Sequence, residues 1–179
     1  NHNDIIYNLG WHLTLTGSVI YSRNAIDSMD YNKILKSKNF PQIPFMFGFL
    51  AKNKNLFWIN QKHIKASEKK KGYWVPTAFS IFIDDWSYAV NNLPKAYSLD
   101  IKEKVIIKHS HKVRLFGFKS LIMLRNANAF NIKILKNYNR ELNKHSELNF
   151  IWIILISIIP IFVLKVFLSI FKYLKKIVN

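Results

Sequence analysis

From Phe150 to Leu164 the chain runs FIWIILISIIPIFVL, fifteen consecutive residues without a charge, and only Ser157 and Pro160 interrupt the large apolar side chains. Lys165 breaks in, VFLSIF continues to Phe171, and Lys172, Lys175 and Lys176 close the segment, so the apolar stretch counts twenty-two residues with one internal cation. A helix rising about 1.5 Å per residue needs roughly 20 residues to cross a hydrocarbon core about 30 Å thick. The stem of Lys165 can run along such a helix and leave its ammonium at the headgroups. The pattern predicts a single transmembrane helix over 148–172, anchored by Phe150, Trp152, Pro160, Leu164 and Lys165, and followed by a basic tail over 173–179. Pro160 removes a backbone donor and drives its ring at the carbonyl of Ile156, so a kink is expected there.

Earlier in the chain the pattern reads differently. In GWHLTLTGSVIYS, residues 10 to 22, Trp11, Leu13, Leu15, Gly17 and Val19 alternate with His12, Thr14, Thr16 and Ser18, the period of a half-buried strand. Asp27 to Lys38 suits a short helix with Ile26, Met29 and Ile34 on one side. PFMFGFLA and LFWINQKHI, joined by KNKN, predict a hairpin turning at Asn53 and Asn55. YWVPTAFSIFIDDWSYAV is a core strand or a buried short helix. Between Ile101 and Phe118, Val105 and Ile107, then Val113 and Leu115, recur at period two and predict one or two further strands. From Lys119 the period lengthens: Met123, Ala127, Phe130, Ile134, Tyr138 and Leu142 form an amphipathic helical stripe. The expected class is α+β, with a small β-rich, basic, aromatic-rich domain over 1–147 whose last element is that amphipathic helix, ahead of the transmembrane helix.

Charge narrows the partners. The 179 residues carry 27 Lys and Arg against 10 Asp and Glu, a net charge of +17. Four of these cations flank the apolar run, and the portion before it holds 23 basic and ten acidic residues, net +13. An anionic partner is implied: nucleic acid, acidic protein or anionic lipid. The densest local cluster is KHIKASEKKK, where Lys62, Lys65, Lys69, Lys70 and Lys71 make a candidate patch for phosphates or headgroups, or a solvated loop. Lys outnumbers Arg by 23 to 4. Bidentate recognition of bases and phosphates favours Arg, which speaks against sequence-specific nucleic-acid binding. Ile, Lys and Asn make up 67 residues; their codons are A- and T-rich, pointing to an AT-rich genome such as a mitochondrial one and to compositional drift as one source of the charge.

Candidate chemistry is sparse. The sequence has no Cys, which excludes disulfide frameworks, thiolate metal sites and thiol nucleophiles within it. His109 and His111 would share a face of a strand and could seat a metal or a haem edge, with surface histidines as the plainer alternative. Asp84 and Asp85 are adjacent acids, read as a turn or cap. Gly17, Ser18, Asp27 and Asp30 only faintly follow a nucleotidyltransferase pattern, with the acids three apart instead of two. No phosphate-binding loop, dinucleotide fingerprint or hydrolase elbow occurs. No cofactor, metal or small-molecule substrate is expected, nor an enzyme. Asn1 as first residue points to processing or to a sequence that begins inside a longer one. The expected function is a membrane-anchored structural or accessory subunit of a large mitochondrial inner-membrane complex, respiratory chain or ATP synthase. It would contact other subunits and anionic lipid, with the bulk of the chain on the matrix side. The alternative is an organellar ribosomal protein whose charge lies on rRNA and whose tail is apolar.

Overall fold

A computed structural model describes residues 1–14, 19–28, 31–52, 57 and 74–178. The chain divides into two compact units, Asn1–Lys71 with Phe79–Lys112 and Gly72–Ala78 with Val113–Asn179. Among the described residues both are helical and no strand occurs. The expected β-rich α+β domain is therefore overturned.

In the first unit, α1 (His2–Leu9) starts on Asn1, whose side chain accepts from the Asp4 amide at 3.0 Å. A 3-10 turn follows over Gly10–Thr14, where alternation predicted a strand; residues 15–18 of that stretch lie outside the described residues. Next come α2 (Arg23–Asp27), capped by Ser22, and α3 (Tyr31–Leu35). The first half of the expected hairpin is α4 (Gln42–Leu50). Its Pro44 falls in the first turn, where no intrahelical donor is lost. Gln42, Ile43, Phe45, Met46, Phe47 and Leu50 are all buried, so this helix is covered nearly all round, and a short apolar run of that kind has no period to distinguish it from a strand. The turn residues Asn53 and Asn55 lie outside the described residues.

A π-helical segment, Ser80–Asp85, leads into α5 (Trp86–Asn91). Trp86 is fully buried between Phe40, at a ring separation of 5.3 Å, and His109, at 4.8 Å. The region read as strands at 101–118 contains α6 (Leu99–Lys112). Asp100 lies in its first turn and His109, His111 and Lys112 in its last, the charge order a helix dipole favours. Its buried positions are Lys102, Val105, Ile106, His109 and Ser110, a helical stripe in which three members are polar. Counting only apolar residues hid the stripe and left a false period of two.

The second unit contains α7 (Phe118–Asn126), α8 (Ile132–Asn137), α9 (Asn139–His145), α10 (Phe150–Ile158) and α11 (Ile161–Val178). The expected amphipathic helix from Lys119 to Leu142 is thus three helices. Asn128 takes a left-handed conformation, φ 59°, and the amides of Asn128 and Ala129 bond back to the carbonyls of Arg125 at 3.0 Å and Leu124 at 2.8 Å. This doubly bonded left-handed cap ends α7. Asn131 restarts the chain by accepting from the amides of Lys133 and Ile134. Phe116, Leu121, Phe130, Leu142 and Ile153 are fully buried and form the centre of this unit, whereas Met123 of the expected stripe is 61% exposed.

The single transmembrane helix is also overturned. The apolar run is split into α10 and α11, bent by 99° across a short break, and no single helix among the described residues is long and apolar enough to cross a membrane. The break has a covalent cause. The ring of Pro160 pushes the preceding residue out of helical space, and Ile159 is extended at φ −56°, ψ 128°.

Candidate membrane-contact surface

The elbow at Ile159–Pro160 is built from both sides. Asn149 caps α10 by accepting from the Ile151 amide at 3.0 Å. Near its other end, the Ser157 hydroxyl donates to the Ile154 carbonyl at 2.7 Å, satisfying a polar group that is otherwise buried. The last carbonyls of a helix lack intrahelical donors. Here the Arg125 guanidinium supplies one, its Nε donating to the Ile159 carbonyl at 2.9 Å, while its Nη1 donates to the Phe130 carbonyl, in the connection between α7 and α8, at 3.1 Å. The cation also sits where the dipole of α10 is negative.

Each helix uses one seam to pack and leaves the other bare. On α10, Ile153, Ile156 and Ser157 are buried, while Ile151, Ile154, Leu155 and Ile158, one helical face, are exposed together with Trp152. On α11, which packs on α7, Leu164 is buried and Ile161 and Leu168 are half-buried. Phe162, Val163, Val166, Phe167 and Ile170, at relative positions 0, 1, 4, 5 and 8, form its outer face, with Phe162 70% and Phe167 66% exposed. Between α7 and α10, Phe118 and Trp152 meet edge to face at 6.4 Å over an apolar hollow of about 470 Å³ whose floor includes Ile122, Leu155 and Pro160.

Of the residues expected to form the anchor, Trp152, Pro160 and Lys165 are exposed, Phe150 is half-buried and Leu164 is buried. They therefore divide between the outer face and the packing seam. The cluster Lys62, Lys65, Lys69, Lys70 and Lys71 lies outside the described residues, as do Gly17, Ser18 and Asp30. Asp27 pairs with Arg23 at 3.0 Å. Asp85 accepts from the Asn39 side chain. His109 and His111 are two apart on a helix and do not share a face; His109 is buried against Phe82 and Trp86. No group of three or more His, Asp or Glu side chains able to hold a metal occurs among the described residues.

Sequence reasoning missed Arg125 and the outer face of α11. The signals were present: Arg125 is one of only four arginines, and Phe162, Val166, Phe167 and Ile170 recur at helical spacing. No family model, curated protein or solved structure matches this chain.

Proposed function

We propose that this chain is a non-catalytic accessory subunit of a membrane complex, held in place by the outer faces of α10 and α11. Its site of action is the mitochondrial inner membrane, in the respiratory chain or ATP synthase, with the bulk of the chain on the matrix side. One observation carries the membrane part: ten large apolar side chains are exposed within the twenty residues from Ile151 to Ile170. Soluble monomers rarely leave so much contiguous apolar surface uncovered, and such surfaces mark protein or membrane contacts. Composition supports the organelle, through the excess of Ile, Lys and Asn. Extraction of organelle membranes with alkaline carbonate, followed by native electrophoresis of a mild detergent extract, tests the reading. Retention in the pellet and migration with a large complex is the expected result. Release by carbonate as a free monomer overturns it.

The net charge of +17 supports a second reading, a protein of an organellar ribosome whose cations neutralise rRNA. Co-sedimentation with ribosomal subunits after detergent treatment, abolished by ribonuclease, would establish it in place of the first.

A further inference from the structure

The second unit carries four exposed cations on α8 and α9 as well as the apolar elbow. Lys133 and Lys136 on α8 and Arg140 and Lys144 on α9 are all exposed, spaced by three, four and four residues. From Val113 onward the sequence holds eleven Lys and Arg against two acids, Glu141 and Glu147. Helix α8 packs on α10, so these cations and the apolar surface belong to one compact body.

Resting on the membrane reading above, we propose that this unit binds an anionic bilayer from one side, with α11 lying in the plane of the interface. Three observations carry the proposal. Helix α10 has nine residues, a length of about 14 Å and less than half of a hydrocarbon core. The 99° bend prevents both helices from following the membrane normal. Helix α11 presents Phe162, Val163, Val166, Phe167 and Ile170 on one face, while Lys165 projects away from that face and the sequence repeats a cation at Lys172 and Lys176, seven and eleven residues on. A basic amphipathic helix of this kind buries its apolar face about 5–10 Å into the boundary between headgroups and acyl chains. Lys133, Lys136, Arg140 and Lys144 supply charge for lipid phosphates. Lysine suits that task, because a fluid array of phosphates needs point charges and not forked geometry. RNA fits less well: seven of the ten exposed apolar side chains of α10 and α11 are aliphatic and give bases no ring to stack on.

Flotation of the full chain with vesicles tests this. Vesicles of phosphatidylcholine alone and vesicles containing phosphatidylglycerol are compared for three proteins: wild type, the quadruple variant Lys133→Gln, Lys136→Gln, Arg140→Gln, Lys144→Gln, and the double variant Phe162→Ser, Phe167→Ser. All the altered positions are exposed, and circular dichroism verifies the fold of each variant. Wild type is expected to prefer anionic vesicles by about thirty-fold or more, given a gain of roughly fivefold per cation near the surface. The quadruple variant loses most of that preference and the Phe variant loses binding to both. Equal wild-type binding to both vesicles, or an undiminished preference in the quadruple variant, overturns anionic-lipid recognition and leaves the membrane reading standing. Absence of wild-type binding to either vesicle overturns the membrane reading itself. If added single-stranded RNA strips wild type from anionic vesicles, the cations belong to RNA and the proposal falls. Because the sequence has no Cys, single labels at Ile170→Cys and Lys165→Cys report depth. In-plane seating requires quenching of the first by lipid-borne quenchers and of the second by aqueous iodide. Lipid quenching of both near the bilayer centre refutes it.

Discussion

Arg125, in the last turn of α7, donates through Nε to the carbonyl of Ile159 at 2.9 Å, closing a link across 34 residues at the point where the apolar run breaks. The Ile159 carbonyl, left at the end of α10 where the chain turns, thereby gains a charged donor without the helix having to continue. The same guanidinium holds the Phe130 carbonyl just beyond the end of α7 at 3.1 Å, so one side chain fixes two chain ends.

Replacing Arg125 with Met keeps the aliphatic stem and removes both donors. Hydrogen bonds to charged groups contribute about 1.5–3 kcal/mol, and the half-buried carbonyls left behind lose their partners. A destabilisation of about 2–4 kcal/mol is expected in urea unfolding. Arg125→Lys should recover only part of it, since an ammonium lacks the planar fork that reaches both carbonyls. Full stability of Arg125→Met would show that the elbow is held by packing alone.

Lys102 performs the corresponding task in the first unit. Its Nζ donates to the carbonyls of Asn91 at 3.1 Å and Leu93 at 2.6 Å, at the C-terminal end of α5. Burial lowers its pKa below the ordinary 10.5. Between the folded and unfolded values the unfolded chain binds the extra proton, so stability rises with pH through that window. Lys102→Met should cost about 1–3 kcal/mol at pH 7, because two carbonyls lose their donor. It should also abolish the rise below pH 10.5 in a series of urea melts. A rise that persists in the variant would assign the effect to another group.

Two tyrosines with buried hydroxyls predict the opposite trend at higher pH. Burial raises the pKa of Tyr21 to about 12 and that of Tyr97 further still. Both folded values exceed the ordinary 10, so the stability they contribute is complete below pH 10 and is lost as pH climbs through the folded values. Tyr97→Phe should cost about 1 kcal/mol or more at neutral pH, because its hydroxyl donates to the buried Phe47 carbonyl at 2.9 Å. Tyr21→Phe should be neutral or stabilising, since its buried hydroxyl has no partner among the described residues. The double variant should unfold with a flatter slope above pH 10.

Gly48 lies within α4, and among the described residues a Cβ built there meets nothing within 4 Å. Gly48→Ala should therefore gain about 0.5–1 kcal/mol from reduced freedom of the unfolded chain. A rise in Tm of about 2 °C in calorimetry is the expected size for a chain of this length. A fall in Tm would mean that the methyl group meets a neighbour after all.

Local chemistry by itself determined several features of this protein. The uncharged run from Phe150, the excess of cations and the absence of cysteine chemistry all follow from covalent structure and composition, whereas Pro160 predicts only a kink in one helix, not the observed break. The stop at Asn128 and the restart at Asn131 rest on local chemistry too, because an asparagine tolerates the left-handed cap and its side chain serves the first turn of a helix, yet the apolar stripe predicts one helix running through both. Helix against strand was decided only by tertiary structure. In α6 the buried stripe includes Lys102, His109 and Ser110, which become core residues only because the elements packed around them cover them: α5 presents carbonyls for Lys102, and Phe82 and Trp86 present faces for His109. In α4 burial on nearly all sides erased the periodicity that distinguishes the two structures. The 99° at the elbow is likewise a tertiary quantity. Proline removes a donor and so kinks or breaks a helix, but the direction in which the chain departs depends on where α7 places the Arg125 guanidinium and on which seam of α11 finds α7 to pack against.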